Sequence, residues 1–558
     1  MSLKRTLLLT TFLLNIILLQ AQQNQTTISG FLDYFGQYYN EDDQIGAVVP
    51  EWKYSNNAFT YLNASRGDFK AGMRFESYLN PLAGYPVGFN GSGIGFRYVS
   101  WTKDDMEVTA GNFYEQFGSG MLLRSFEERT LGLDNALDGI RVKYSPVKGL
   151  KLTGLVAKHR ASFNDRLING NGVVRALDLN LSLNEAFTAL AESDLRIDLG
   201  GSFVSKYNND NTVDSLLLPK NVGAFSPRLG LLWNNWRMNA EYGYKFNDPY
   251  PTTNPPGPEF IYNYKNGEAM FIDFGYSTKG FAIDLRARHV DNMVWRSTNA
   301  ATIPTAQLVG FIAPPTKQYT YNLASTLYPY QSNLYGEVSY RADVLYKVPK
   351  GSPLGGKYGL GISASYTSVF APERNSRSDF NETRVGYDTR LFAAADSAFL
   401  KDFSIELKKK WSKSTSTTFT YYNWMFDDRA QLVAVNHERI YADIFVLEWS
   451  QKLAKKKSIR IEVQGLFTEQ DQGNWAFGMI EYSIAPHWSF TVLDQYNYGN
   501  SESEKRFHYA LGNIAYLKGA HRFALQYGRQ RAGFFCVGGI CRAVPASNGL
   551  SLSITSSF

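Results

Sequence analysis

Residues 520–527, AHRFALQY, alternate apolar and polar side chains, so that Phe523, Leu525 and Tyr527 share one face. Residues 550–558, LSLSITSSF, then alternate in the same way up to the C-terminus. This period of two is typical of a β-strand with one apolar and one polar face. We therefore predict that the chain ends in a β-hairpin whose last strand carries its apolar residues on one side. Those residues are Leu550, Leu552, Ile554 and Phe558.

An aromatic C-terminal residue inside such a strand is unusual in a soluble protein, because chain termini fray. In a closed β-barrel the last strand can pair with the first, which removes the free edge. The ending at Phe558 resembles the insertion signal of bacterial outer-membrane barrels, and the same four apolar residues carry that resemblance. The edge strand of a secreted β-sandwich is the alternative.

Strand length separates these two alternatives. Long alternating segments recur along the chain, for example residues 236–246, WRMNAEYGYKF, and residues 459–467, IRIEVQGLF. Sandwich strands usually have about five or six residues, whereas strands that cross a membrane at a tilt need about twice that length. The polar faces carry charges of both signs, as the lumen of a membrane barrel does. Length therefore favours the barrel.

The connectors fall into a tight set and a long polar set. Tight connectors occur at residues 145–149, 234–235, 277–280, 412–414, 485–487 and 517–519. Outer-membrane barrels have short periplasmic turns, long extracellular loops and an even number of strands. If Phe558 ends on the periplasmic side, counting backwards places every tight connector there. We predict an all-β fold, a transmembrane antiparallel β-barrel of roughly 24 strands, with 22 to 26 as the range.

The N-terminus and the composition agree with export. A basic flank, Lys4 and Arg5, precedes a short apolar run that ends near Ala21, so we expect residues 1–21 to be a signal peptide and residues 22–558 to form one barrel domain. Aromatic residues make up 15% of the chain although its mean hydropathy is −0.29, a combination that fits a barrel with aromatic girdles. The net charge of +6 is too dispersed for a nucleic-acid partner.

The two cysteines of the chain, Cys536 and Cys541, lie close together in the predicted last hairpin. In an exported protein we expect them to form a disulfide. Idle thiols are the alternative, and two residues alone are too few for a metal site. We expect no metal and no cofactor.

A glycine-rich, mixed-charge stretch between residues 112 and 139 is the best candidate for a loop that folds into the lumen. Glycines permit close turns, and mixed charges can select solutes by charge at a constriction. An external loop held by surface ion pairs is the alternative. The constriction candidates are Glu115, Arg124, Glu127, Glu128, Arg129, Asp134 and Asp138.

An apolar patch interrupts the polar connector around residue 310. Exposed apolar loops mark partner contacts or buried plugs, and packing against neighbouring loops is an equal alternative. The patch comprises Leu308, Val309, Phe311 and Ile312. The six histidines are scattered and form no metal-binding pair of the HExxH kind, so we expect no catalytic residues and no enzymatic activity.

Taken whole, the sequence resembles a functionally uncharacterised family of Bacteroidota outer-membrane barrels. The resemblance lies in residues 114–120, YEQFGSG, residues 131–135, LGLDN, and residues 536–546, CVGGICRAVPA. It implies a cell outer membrane location and gives no substrate.

The first hypothesis for function is a porin-like barrel that passes polar solutes through a charged lumen narrowed by inward loops. The alternative is a non-conducting barrel subunit of an outer-membrane assembly, secretion or uptake complex. Expected partners are outer-membrane lipid and the barrel-assembly machinery for insertion, with outer-membrane or periplasmic proteins as further candidates.

Overall fold

A computed structural model describes residues 26–209, 218–246, 248–251, 262–298, 307–427, 438–537 and 540–558. The predicted signal peptide, residues 1–21, lies outside these ranges.

The described chain folds into one 24-stranded sheet in which neighbouring strands run antiparallel, apart from a short parallel contact at residues 89–90. In chain order, β1 to β24 are Thr27–Asn40, Tyr54–Arg66, Phe69–Leu79, Phe89–Lys103, Met106–Phe113, Leu137–Val147, Leu150–Asn164, Leu167–Ser182, Leu195–Tyr207, Asn221–Trp233, Trp236–Lys245, Gly267–Thr278, Phe281–Asp291, Gly336–Val348, Leu360–Ser376, Tyr387–Lys410, Thr415–Asp427, Arg439–Ala454, Lys457–Phe467, Trp475–Ile484, Trp488–Tyr496, Leu511–Lys518, His521–Gln530 and Ser547–Ser557.

The sheet closes on itself. The first strand, β1, pairs with the last, β24, from Phe31 opposite Ser557 to Asn40 opposite Asn548. Phe558 continues the seam, because its backbone N–H donates to the Gly30 carbonyl at 3.0 Å and its carbonyl accepts from the Gly30 N–H at 2.9 Å. Closure leaves the sheet without a free edge. The predicted fold class, a closed antiparallel barrel of about 24 strands, is confirmed.

The two ends of the barrel differ, and we call them the turn end and the loop end. All of the connectors predicted to be tight lie at the turn end, beside the seam residues Gly30 and Phe558. Two turn-end connectors are longer than the rest: residues 183–194, which hold short helical turns, and residues 349–359. One loop-end connector, residues 165–166, is tight, because Asp165 takes a left-handed conformation, φ 53°.

Small elements lie within the connectors. The helices are Leu183–Ala186, Asn322–Thr326 and Phe380–Thr383; the 3-10 turns are Arg129–Leu131, Thr188–Leu190 and Ser503–Lys505; the extra strand pairs are Glu127–Glu128 with Leu133–Asp134, Tyr250–Pro251 with Tyr262–Asn263, and Gly533–Val537 with Ile540–Val544. Among the described residues, no helix has the length and apolar character needed to cross a membrane.

The outward face of the strands is apolar and exposed. Large side chains such as Val99, Ile140, Leu447 and Val463 are each about half exposed, and equivalent side chains continue around the whole circumference. Aromatic residues collect towards both ends of this belt, as in the contact of Trp488 with Tyr516 at the turn end, 4.6 Å between ring centroids.

The buried core lies inside the barrel and towards the loop end. The strand β19 shows the gradient along its inward positions: Arg460 is 37% exposed, Glu462 is 7% exposed and Leu466 is fully buried. The inward positions of β18 change in the same direction, from a half-buried Glu448 to a buried Ile440. The lumen is therefore filled towards the loop end, whereas its charged wall stays accessible to water towards the turn end.

Candidate functional site: the loop-filled lumen

Two connectors of the loop end turn into the barrel. We call residues 114–136, which join β5 to β6, loop A, and residues 307–335, which lead into β14, loop B. Phe117, Leu122 and Leu123 of loop A are buried in one cluster with inward residues of β6 to β13 and with Val309 and Ile312 of loop B. Loop B also packs Leu323 into a second cluster with inward residues of β15 to β20. These two clusters form the core of the lumen.

The two loops join near the centre of the lumen through backbone contacts. The N–H of Arg124 donates to the Val309 carbonyl at 2.9 Å, and the N–H of Phe311 donates to the Gly120 carbonyl at 2.9 Å. Gly310 is packed so closely that an added Cβ would lie 2.1 Å from the Met121 carbonyl oxygen. Only glycine fits there, so the loops are in direct backbone contact.

Loop A is anchored to the wall by a buried ion-pair network. Arg160 on β7 binds Glu76 on β3 at 2.6 Å and Asp134 of loop A at 2.7 Å. Arg74 on β3 also binds Asp134 and reaches Glu127 at 2.8 Å. The side chains of Arg74, Glu76 and Arg160 are fully buried. A buried charge is tolerated only when it is paired and hydrogen-bonded, and here the pairing requires loop A in the lumen.

Asp134 is the loop residue at the centre of this network. Burial acts to raise the pKa of Asp134, but Arg74 and Arg160 outweigh burial and hold that pKa below its ordinary value. Tyr114 adds a further bond, because its hydroxyl donates to Asp134 at 3.0 Å. The carboxylate is therefore kept charged inside the protein.

Further ion pairs extend the network around loop A. Arg129 binds Asp33 on β1 at 2.8 Å and Glu127 at 2.9 Å. On the other side Glu115 binds Arg141 on β6 at 3.1 Å. Loop A is thus anchored by charges on both of its flanks.

Loop B is anchored by hydrogen bonds in which at least one partner is neutral. The Tyr319 hydroxyl donates to Asp402 on β16 at 2.5 Å, and the Tyr330 hydroxyl donates to Glu337 on β14 at 2.7 Å. The backbone N–H of Leu323 donates to Gln464 on β19 at 3.0 Å. No ion pair joins loop B to the wall among the described residues. Hydrogen bonds and apolar packing carry this contact.

Below both loops lies a water-accessible chamber that opens at the turn end. Its wall carries charges of both signs: Arg237 and Asp284 are 48% and 30% exposed, and Arg460 lies 3.4 Å from Glu448 and 3.5 Å from Glu481. Mixed charges in a wet lumen can discriminate among solutes.

The sequence matches the family described as "Family of unknown function (DUF6029)" over residues 3–558. The chain belongs to this family. The shared lack of a settled activity agrees with the resemblance inferred from the sequence, and a Bacteroidota origin stays a prediction. A comparison with curated proteins finds no match.

Among solved structures, this DUF6029 chain is similar to three barrel proteins at low identity. They are the siderophore receptor PirA from Pseudomonas aeruginosa (TM-score 0.40, 10% identity, 96% of this chain and 81% of that chain), OccAB3 from Acinetobacter baumannii (TM-score 0.35, 9% identity, 96% and 99%) and the translocation pore of the P pilus usher PapC (TM-score 0.37, 6% identity, 96% and 99%). Likeness at this level carries no argument about the activity of the DUF6029 chain.

The constriction candidates lie in two different environments. Glu115, Glu127, Arg129 and Asp134 belong to the ion-pair network inside the lumen. Arg124 forms no ion pair within the described chain and stacks 4.6 Å from the Phe126 ring and 4.9 Å from the Phe311 ring.

The other two candidates do not join that network. The Glu128 carboxylate accepts from the Thr130 N–H at 3.3 Å and caps a helical turn. Asp138 faces outward, where it lies 3.3 Å from Arg97, because Leu137 before it points inward. Roles in a constriction stay predictions for all seven candidates.

Sequence reasoning missed Arg74, Glu76 and Arg160, which complete the network. Arg74 and Glu76 occupy successive inward positions of β3, so charges of opposite sign in mid-strand were the available signal. The apolar patch Leu308, Val309, Phe311 and Ile312 lies buried at the junction with loop A.

The cysteines lie in the two-stranded hairpin above the barrel. Cys536 is directly opposite Cys541 in the register of its two strands. Their side chains fall outside the described part of the chain, so the disulfide stays a prediction.

Proposed function

We propose that this protein is an outer-membrane barrel through which polar solutes pass when loops A and B move out of the lumen. The continuous apolar belt and the aromatic residues at its two borders support a membrane location, because a belt of this kind is stable only against lipid. This role is transport and not catalysis.

The charged chamber is the observation that carries the proposal. A barrel that served only as a membrane anchor would have no need to keep Arg237, Asp284 and Arg460 solvated in its interior. Charged side chains that line a water-filled lumen instead give favourable sites to polar solutes.

The loops supply the barrier. Barrels of about 22 strands are wide enough to need a plug, and in this chain the two joined loops, anchored to β1 to β20, occupy that position. In the described conformation, the loops therefore oppose passage, and passage requires their displacement.

Planar-bilayer recording of the purified protein tests this proposal. We expect low or intermittent conductance from the natural chain and a steady conductance when residues 308–333 are replaced by a short Gly/Ser linker. The matched control shortens residues 380–383, a helical turn at the tip of the β15–β16 hairpin, and should leave conductance unchanged. A loop B replacement that inserts as an intact barrel and still never conducts would contradict solute passage.

The apolar junction between the loops favours a second candidate. A lumen closed by Val309, Ile312 and Leu123, all buried, also suits a non-conducting barrel subunit of an outer-membrane complex. Gentle solubilisation from native membranes discriminates between the two: a stoichiometric partner together with absent conductance supports this candidate, and a lone conducting barrel refutes it.

A further inference from the structure

One region of the inner wall brings three arginines together at the border of β13 and β14. Arg286 on β13 and Arg341 on β14 are direct cross-strand partners on the inward face, and Arg288 is the next inward residue of β13. Like charges placed opposite each other destabilise a sheet. Asp273 lies 3.3 Å from Arg286, and Asp343 accepts from Arg341 at 2.8 Å.

Arg288 has no carboxylate partner within the described chain. Its guanidinium lies 5.0 Å from the Phe271 ring and donates to the carbonyl of Ala313 in loop B at 2.9 Å. Arg341 makes a similar bond to the carbonyl of Pro315, at 3.2 Å. Both guanidinium groups therefore use neutral loop B oxygens where an anion would be the stronger acceptor.

Lys317 of loop B adds a further cation to this region. Its ammonium lies 4.6 Å from the Tyr422 ring and forms no ion pair within the described residues. Burial lowers the pKa of Lys317, whereas the nearby carboxylates of Asp402 and Glu406 act to raise it and Arg341 acts to lower it. Glu337, a further carboxylate of this region, is engaged by Tyr330 and Asn333 of loop B.

The region is also reachable from the chamber. Arg286 and Asp273 are 31% and 34% exposed, and both lie on the inward face between Arg288 and the turn end. A solute in the chamber can therefore approach the guanidinium groups from the side that loop B leaves open.

We propose that Arg288 and Arg341 form a binding site for an oxyanion-bearing solute, of carboxylate or phosphate type, which replaces the loop B carbonyls and so loosens loop B. The exchange is favoured because an oxyanion adds the attraction between opposite charges and can accept two parallel bonds from one guanidinium, which a single carbonyl cannot. This inference rests on the proposed function and gives the class of solute.

Calorimetry on the detergent-solubilised barrel tests the site directly. The probes are sodium malonate and sodium phosphate, with malonamide as the uncharged control at equal ionic strength. We expect one or both anions to bind and malonamide to give no signal, and the stronger anion identifies the type of oxyanion. Equal signals from malonate and malonamide, with none from phosphate, would overturn the site.

Two variants and a matched control locate the binding. Arg288→Gln and Arg341→Gln keep a hydrogen-bond donor and remove the charge, and each should weaken anion binding about tenfold, the usual order for a lost charged hydrogen bond. Arg377→Gln removes a guanidinium from the β15–β16 connector, where it pairs with Asp379 and Asp388, and should not weaken anion binding. Equal loss in Arg377→Gln would show a general effect of the charge of the protein and overturn the site.

The loop B replacement tests the competition. Because the loop carbonyls no longer occupy the guanidinium groups, the anion should bind more tightly to this variant than to the natural chain. Unchanged affinity would refute the displacement of loop B. The arginine variants could fail to fold, which loss of the β-barrel circular dichroism signal would show. In that case the comparison of the natural chain with the loop B replacement, together with the malonamide control, still tests the site.

The outcomes separate this site from the proposed function. A barrel that conducts after loop B replacement but binds neither anion keeps solute passage and refutes the site. A barrel that binds the anion and never conducts keeps the site and refutes solute passage.

Discussion

Loop A and loop B fill the same lumen but are anchored in different ways. Loop A is attached through buried ion pairs, with Asp134 between Arg74 and Arg160. Loop B is attached through tyrosine hydroxyls and backbone groups, such as Tyr319 to Asp402. Removing one partner of a buried ion pair costs about 3–5 kcal/mol, more than the about 1.5–3 kcal/mol for removing a neutral donor from a carboxylate. The difference indicates that loop A is the fixed part of the plug and loop B the movable part.

The largest expected loss of stability comes from breaking the ion-pair network that anchors loop A. Arg160→Met leaves Glu76 and Asp134 with Arg74 as their remaining shared cation, and we expect the free energy of unfolding to fall by about 3–5 kcal/mol. Urea unfolding followed by circular dichroism measures this change. A loss below about 1 kcal/mol would show that the network contributes little to stability and that loop A is not fixed by it.

A smaller effect is expected for loop B. Tyr319→Phe removes one donor to Asp402, which keeps its bond from the Trp424 indole at 2.7 Å. We expect a loss of about 1.5–3 kcal/mol, the range for hydrogen bonds to charged groups, expressed as faster hydrogen exchange of loop B and more frequent channel openings. Faster exchange of loop A instead of loop B would contradict the assignment of the movable part.

The pH dependence of the loop A anchor tests the same comparison between the two loops. Because the pKa of Asp134 is held below its ordinary value, its contribution to stability is fully present above about pH 4, the unfolded value. The contribution is lost only as pH falls through the still lower pKa of the folded state. We expect the protection factors of loop A in hydrogen exchange, which correct for the pH dependence of the intrinsic exchange rate, to be unchanged between pH 7 and pH 5. Release of loop A within that range would show that Asp134 does not hold it.

The smallest effect is expected outside the lumen. Asp138→Asn removes the charge that pairs with Arg97, whose side chain is 55% exposed, whereas that of Asp138 is 13% exposed. A pair with one exposed partner contributes about 0–1 kcal/mol, and the new amide oxygen can still accept from Asn169. Stability and conductance should both stay close to those of the natural chain. A clear change in ion selectivity would place Asp138 on the solute path, against its outward orientation.

The sequence alone predicts the barrel wall better than the contacts of loop A and loop B inside the lumen. Alternation, the length of the strands and the positions of the tight connectors depend on local chemistry, and these gave the strand number and the two ends. Arg74 and Arg160 meet only because β3 and β7 face the same lumen, and the strand β7 shifts its register opposite Asn169. Such long-range contacts form only when the barrel closes, so a local sequence pattern cannot predict them.

The candidate residues show the same limit. The charges of loop A were recognised as a group, but alternation after the buried Leu137 turns Asp138 outward, and Arg124 packs against aromatic rings. One residue of register decides which face of the sheet a side chain occupies, and the composition of a loop does not contain that information.

The close backbone contact at Gly310 has a consequence for how the channel would behave in time. Since the Phe311 N–H is bonded to loop A and Gly310 leaves no space for sliding, loop B cannot retreat by small steps while it stays attached. Opening should therefore break the contacts between loop A and loop B in one step. Current recordings should then show abrupt transitions between two levels and few intermediate ones.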